Sequence, residues 1–144
     1  MVENDTVELL KECNSGVKMG ISSIEEVLDK VENSEFKNLL ESSMNEHKRL
    51  GDETRRLLNR YEDTGEDPNI MAKSMSWMKT NLKMAVSPSD ETISDLITDG
   101  CNMGVKSLNK YLNEYAAASE EAKDITKKLI NMEEGLAVKI RKYL

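Results

Sequence analysis

Hydrophobic residues recur at every third or fourth position over most of this 144-residue chain. That spacing places them on one face of an α-helix. The first such run extends from about residue 5 to 32, and its apolar positions are Leu10, Cys13, Val17, Ile21, Ile24, Leu28 and Val31. Asn33 and Ser34 then offer an N-cap for a second helix. The apolar side of that helix is Phe36, Leu40, Met44, His47, Leu50, Thr54, Leu57 and Tyr61. The two runs predict a helical hairpin.

The second half of the chain has the same organisation. A helix break at Ser87-Pro88-Ser89 precedes a third run, for which Ser89 or Asp90 is the predicted cap. This run buries Ile93, Ile97, Cys101, Val105, Leu108, Leu112 and Tyr115. After a loop over 116–119, with Ser119 as a candidate cap, the fourth run carries Ala122, Ile125, Leu129, Met132, Leu136 and Ile140. A second hairpin is therefore predicted.

A long connection separates the two hairpins. Asp63 to Pro68 ends the second helix, and 69–86 is predicted to form a short extra helix. Its apolar residues are Met71, Met75, Trp77, Met78 and Met84, interleaved with lysines. Three interpretations stay open for this segment. It packs along the side of the bundle with its lysines reaching water, it is a surface for a protein partner or for self-association, or it lies on a membrane surface.

One phrase of the first helix recurs in the third. Cys-Asn-Ser-Gly-Val-Lys at 13–18 returns as Cys-Asn-Met-Gly-Val-Lys at 101–106, and the same offset pairs Met44 with Met132. This pattern is typical of a duplicated helical hairpin, although two similar amphipathic helices could also match by accident. Gly16 and Gly104 stand beside the apolar stripe, where a close helix–helix approach needs a small residue.

Charge and composition exclude several classes of function. The net charge of -7 opposes a phosphate backbone, and no basic stripe offsets it, so we expect no nucleic-acid binding. No run of about 18 apolar residues occurs, so stable membrane insertion is not expected. The acidic N-terminus lacks the apolar run of a signal peptide, and two cysteines without an export signal suggest free thiols. We expect a cytoplasmic protein with a single domain over 1–144.

The hairpin order, the repeat and the phrase Asn-Glu-His-Lys-Arg-Leu at 45–50 resemble the ferritin-like superfamily. The similarity is greatest to rubrerythrin-type proteins and related bacterial four-helix-bundle proteins. The resemblance implies an all-α, ferritin-like four-helix bundle in which two αα-hairpins are joined by a long crossover. It also implies a homodimer.

In that superfamily the first helix of each hairpin supplies a Glu and the second supplies Glu-x-x-His to a di-iron centre. Aligning the family's His with His47 places the other ligand positions on residues of the wrong type. The positions of the lost site are Cys13, Met44, His47, Cys101, Met132 and Gly135. One histidine cannot replace the two imidazoles and four carboxylates of such a centre. We therefore expect no di-iron oxidase, no bound metal and no cofactor.

Two interpretations of the emptied site stay open. Cys13, Met44, His47, Cys101 and Met132 either repack the interior as apolar residues or form a buried layer for copper(I), zinc or dithiol redox chemistry. His47 is expected to be a hydrogen-bonded core residue, with Tyr111 and Tyr115 as candidate partners. No carboxylate is expected on the core face. The sequence thus predicts a non-catalytic scaffold that acts by protein or self-association, with soft-metal or thiol-redox function as the alternative.

Overall fold

A computed structural model describes residues 2–61 and 88–144, which form four long helices and one short 3-10 turn, with no strand in these two stretches. The helices are α1 (Val2–Leu28), α2 (Ser34–Arg60), α3 (Asp90–Glu114) and α4 (Glu120–Lys139), followed by the turn Arg141–Tyr143. Over these residues, the prediction of an all-α fold with four long helices is confirmed. The predicted short helix over 69–86, with Met71, Met75, Trp77, Met78 and Met84, lies outside the described residues.

The predicted starts of α2, α3 and α4 are confirmed by side-chain caps. The side chain of Asn33 accepts a hydrogen bond from the backbone N–H of Phe36 at 3.0 Å. Ser89 and Ser119 do the same at the starts of α3 and α4, each at 3.2 Å. Each cap satisfies one of the backbone N–H groups that the first turn of a helix leaves without a partner.

Two carboxylates tie the start of one hairpin to the turn of the other. Asp90, at the start of α3, accepts hydrogen bonds from the backbone N–H groups of Glu32 and Asn33 at 2.8 and 2.9 Å. Asp5, at the start of α1, accepts one from Ala117 at 3.0 Å. The start of each hairpin is therefore hydrogen-bonded to the turn of the other. These contacts make α1 antiparallel to α3 and parallel to α4.

The last turn of α2 lies at the same end of the bundle as the start of α4. Arg60 forms an ion pair with Glu121 at 3.5 Å, while the start of α3 is held at the opposite end by the turn between α1 and α2. The described end of α2 and the start of α3 are thus separated by the length of the bundle.

The four helices are packed asymmetrically. Helix α1 contacts α2, α3 and α4, and α2 also contacts α4, whereas α2 and α3 occupy opposite corners. Gly16 permits the close diagonal approach of α1 to α4, because a Cβ atom there would lie only 3.3 Å from Leu129 Cδ2. This agrees with the close helix–helix approach predicted at Gly16. At Gly104 the nearest atom to an added Cβ would be Glu133 Oε2, at 3.8 Å.

The hydrophobic core is divided into two clusters along the bundle. The cluster near the α1–α2 turn is built around Ile24, Val27, Phe36, Leu40, Ile93 and Ile140. The other is built around Leu9, Leu10, Val17, Leu58, Ile125 and Leu129. Among the residues that the structure describes, no helix has an apolar stretch long enough to cross a bilayer.

Candidate functional site

A buried ion pair lies where the two clusters meet. His47 of α2 and Glu133 of α4 are 1 % and 8 % exposed, and His47 Nε2 lies 2.6 Å from Glu133 Oε1. Their positions follow from helical spacing. His47 stands three residues before Leu50, and Glu133 stands four residues after Leu129, so each side chain points to the interior.

Glu133 corrects two expectations from the sequence. A carboxylate does occupy the core face, and the partners of His47 are Glu133 and Ser43 rather than Tyr111 or Tyr115. The helical spacing of Glu133 indicates a buried position, because it is separated from Leu129 and Leu136 by four and three residues. Met132 fits the same spacing and, as the apolar choice, was assigned to the stripe, but it is only partly buried. A charged residue on the buried face is rare unless it has a partner.

The hydrogen bonds of His47 define its protonation. Its Nδ1 lies 2.7 Å from the backbone carbonyl oxygen of Ser43, and because a carbonyl only accepts, Nδ1 carries a hydrogen. Burial lowers the pKa of His47, but the hydrogen bond and charge of Glu133, together with the Ser43 carbonyl, outweigh it and raise the pKa above the usual 6.5. We therefore describe the pair as an imidazolium that donates to a carboxylate. Both ring nitrogens are occupied.

Gly20 of α1 makes room for this pair. A Cβ atom at position 20 would lie 2.7 Å from both Cδ2 and Nε2 of His47, and 3.6 Å from Glu133 Oε1. No side chain fits at that separation without a shift of the imidazole ring. The backbone of α1 thus forms one wall of the polar site, and three helices meet at it.

A cavity of about 410 Å³ extends from the ion pair between α1 and α3. His47, Leu129, Glu133 and Leu136 lie at its base. Small and apolar residues form its sides: Ser15, Gly16, Met19, Gly20, Ser23 and Ile24 of α1, and Leu96, Ile97, Gly100, Cys101, Met103, Gly104, Ser107 and Leu108 of α3. Glu12 and Tyr111 complete the lining. Met103 is 57 % exposed and so also reaches solvent.

The two cysteines occupy different environments. Cys101 lines the cavity, and burial, followed by the charge of Glu133 and a hydrogen bond with it, raises the pKa of the thiol. Cys13 lies 3.0 Å from Thr126 Oγ1. That hydroxyl donates to the backbone carbonyl of Ala122, so the thiol is the donor to Thr126. Burial raises the pKa of Cys13 to about 12, and both cysteines are neutral thiols at neutral pH.

The residues assigned to the lost di-iron site are spread over the bundle. Cys101 belongs to the cluster near the α1–α2 turn, and the partly buried Met44 packs against that cluster. Cys13 belongs to the other cluster, against which the partly buried Met132 packs. A Cβ atom at Gly135 would meet nothing within 4 Å. Only His47 and Cys101 of the set line the cavity.

The five soft donors are therefore not gathered in the single layer that the sequence suggested. Within 2–61 and 88–144, no group of three or more His, Cys, Asp or Glu side chains is arranged to hold a metal ion.

Comparison of the chain with models of protein families, with curated proteins and with solved structures gives no match.

Proposed function

We propose that this chain is a non-catalytic binding protein that holds a small, largely apolar ligand between α1 and α3. One observation carries the proposal: a cavity of about 410 Å³, partly open to solvent, lies between α1 and α3, and its lining is mainly apolar with the ion pair of His47 and Glu133 at its base. Pockets for small molecules have this character, since an apolar lining supplies affinity and a few polar groups orient the ligand.

The state of the polar groups favours binding over catalysis. General acid–base chemistry needs a group that can exchange a proton with a substrate, but Ser43 and Glu133 already occupy both nitrogens of His47. Nucleophilic attack by a cysteine needs the thiolate, but the raised pKa of Cys101 keeps its thiol neutral. Of His47, Cys101 and Glu133, the group that remains able to act on a ligand is the Glu133 carboxylate, as a hydrogen-bond acceptor.

We also infer that the two hairpins are connected as in ferritin-like bundles. The support comes from helix direction, because α1 runs parallel to α4 and the end of α2 lies at the opposite end of the bundle from the start of α3. A simple up-and-down bundle would place those two ends together. Association with a partner or a second copy, and the soft-metal alternative, stay predictions.

The binding proposal is tested with a fluorescent apolar probe and a pair of matched variants. N-Phenylnaphthylamine is expected to bind the wild-type protein with an increase in fluorescence. In Gly104→Leu the added side chain starts 3.8 Å from the Glu133 carboxylate and fills the base of the cavity. Gly135→Leu adds the same side chain on α4, outside the cavity lining.

We expect Gly104→Leu to weaken probe binding by about tenfold or more, because the cavity volume is lost, while Gly135→Leu binds as the wild type does. Circular dichroism of both variants checks that the helices are intact. If the folded wild-type protein does not bind the probe, or if the two variants bind it equally, the cavity is not the binding site and the proposal fails.

A further inference from the structure

We infer that the ligand of this cavity is a neutral hydroxyl compound: a compact apolar body whose O–H group donates a hydrogen bond to the carboxylate of Glu133. The inference rests on the binding function proposed above and adds the chemical class of the ligand. Three properties of the cavity support it: the paired charges at its base, the kind of hydrogen bond that can still be made there, and its size.

The ionised groups at the base of the cavity neutralise each other. His47 and Glu133 are 1 % and 8 % exposed and lie 2.6 Å apart, and the pair carries no net charge wherever its shared proton lies. A charged head group at this base would lose its hydration without meeting an uncommitted opposite charge among the residues that the structure describes there. The burial of an unpaired ion is costly, so a head group without charge is favoured.

Glu12, the second carboxylate of the lining, is remote from this base. It lies about 12 Å along α1 from Gly20, at about 1.5 Å per residue, and it is hydrogen-bonded with Tyr111. The cavity is partly open to solvent, and exposed charges further apart than about 8–10 Å are largely screened in salt solution. The head group at the base is therefore selected by the pair of His47 and Glu133.

The hydrogen-bonding capacity that remains at the base is that of an acceptor. A carboxylate offers about four acceptor sites on its two oxygens. His47 occupies one on Oε1, and the thiol of Cys101 is hydrogen-bonded to the same carboxylate. The second oxygen, Oε2, faces Gly104, where even a Cβ atom would stay 3.8 Å away. The absence of a side chain at position 104 thus leaves Oε2 open to the cavity, and this oxygen accepts whichever atom of the pair holds the shared proton.

The donors beside Oε2 are already used. Both N–H groups of His47 are directed at Ser43 and Glu133, and the thiol of Cys101 donates to Glu133. A ligand carbonyl at the base would therefore bring its oxygen against the oxygen of Glu133, whereas an O–H group donates to that oxygen and stays neutral. The serine hydroxyl groups on the sides of the cavity can donate as well as accept, so they do not discriminate between the two head groups.

The cavity volume limits the size of the ligand. A volume of about 410 Å³ corresponds to roughly a dozen water molecules at about 30 Å³ each, so a ligand with roughly a dozen non-hydrogen atoms fits it. Benzylacetone is a neutral ketone of this size, and its reduction gives the secondary alcohol with the same carbon skeleton. The primary amine with that skeleton is protonated at neutral pH, and phenylbutyrate supplies an anion with a similar apolar body. The four compounds separate a neutral donor from a neutral acceptor and from both signs of charge.

The experiment measures the dissociation constants of these four compounds with the wild-type protein at neutral pH, by displacement of N-phenylnaphthylamine and by calorimetry. We expect the alcohol to bind about tenfold more tightly than benzylacetone, because only the alcohol makes the hydrogen bond to the carboxylate. The amine and phenylbutyrate should each bind at least about tenfold more weakly than the alcohol, because each loses the hydration of its charge.

The double variant His47→Met/Glu133→Met identifies the acceptor. It removes both members of the pair and leaves neither charge buried alone, and apolar replacement of a buried ion pair is often neutral for stability. Lys48→Met/Glu134→Met is the matched control, since it removes one positive and one negative side chain from the adjacent, exposed positions of the same two helices. We expect the ratio of alcohol to ketone affinity to fall to about one in the first variant and to stay near ten in the second.

The possible outcomes separate the two proposals. If benzylacetone, the amine or phenylbutyrate binds as tightly as the alcohol, or if His47→Met/Glu133→Met leaves the ratio unchanged, the hydroxyl inference is wrong while the cavity remains a binding site. If the fluorescent probe binds but none of the four compounds displaces it, the ligand class is again wrong. If neither the probe nor the compounds bind, the proposed function itself fails. The wild-type series decides the question even if His47→Met/Glu133→Met does not fold.

Discussion

At the scale of single residues, the polar site depends on two glycines with opposite roles. Gly20 lies so close to the imidazole of His47 that no side chain fits between them, whereas Gly104 stands at an ordinary distance from Glu133 and leaves that carboxylate open. The first glycine permits the ion pair to form, and the second gives a ligand access to it. Neither role is visible in the residue type alone.

Gly20→Ala is expected to reduce the free energy of unfolding by about 1–3 kcal/mol. The new methyl group would meet the His47 ring at 2.7 Å, and overpacking of a buried site has a cost of about that size. Gly135→Ala is the control, because its methyl group enters open space and alanine is favoured over glycine in a helix by about 1 kcal/mol. Urea denaturation measures both. Equal stabilisation of the two variants would show that α1 does not approach His47 closely.

At the scale of helices, the ends of the elements determine how the hairpins dock. The caps at Asn33, Ser89 and Ser119 satisfy the first turns of α2, α3 and α4. Asp5 lies in the first turn of α1 and Asp90 in the first turn of α3. Each carboxylate accepts hydrogen bonds from backbone N–H groups in the turn of the opposite hairpin. These contacts fix the helix directions and therefore decide which side chains share a layer.

Asp90→Ala should destabilise the protein by about 1–2 kcal/mol, because two backbone N–H groups lose a charged acceptor and α3 loses an acidic residue from its first turn. Asp95→Ala, an exposed position of the same helix, is expected to change stability by less than about 0.5 kcal/mol. Hydrogen exchange at Glu32 and Asn33 provides a local measurement. Unchanged protection of these two amides in Asp90→Ala would contradict the docking contact.

At the scale of the whole molecule, the buried ion pair links the second helix of one hairpin to the second helix of the other. His47 and Glu133 bridge α2 and α4 at the junction of the two hydrophobic clusters, and α1 closes over them through Gly20. A buried pair of this kind contributes little net stability compared with an apolar replacement, but the loss of one partner is costly. The global stability should therefore respond to the protonation of His47.

The pH dependence of stability has a definite sign. Because the pKa of His47 is raised in the folded state, its contribution is fully present below the unfolded value of 6.5 and is lost as the pH rises through the folded value. The difference in unfolding free energy between wild type and His47→Gln should shrink as the pH rises above about 6.5 and through the folded-state pKa of His47. Lys48→Gln, which removes a neighbouring exposed charge, serves as the control. A difference that grows with pH would exclude the imidazolium–carboxylate description.

Local sequence patterns are sufficient to predict the four long helices of the described residues. Their number, their caps at Asn33, Ser89 and Ser119, and most buried positions follow from local rules, since apolar spacing and cap chemistry depend on residues within a few positions of each other. His47 was also recognised as a buried residue with a hydrogen-bond partner. The ion pair with Glu133 is not predicted by the local pattern, because Glu133 lies 86 positions away from His47. The apolar spacing of α4 is also compatible with either Met132 or Glu133 facing the interior.

Which residues come into contact depends on how the helices pack, and local patterns do not contain that information. Cys13 and Cys101 are related by the sequence repeat, yet they lie in different clusters, because α1 and α3 run antiparallel and equivalent positions of the two helices fall at different heights in the bundle. The cavity lies between the same two helices, α1 and α3. Packing distances between helices depend on many side chains at once, so a pattern within each helix defines its buried face but not the space that remains between two such faces.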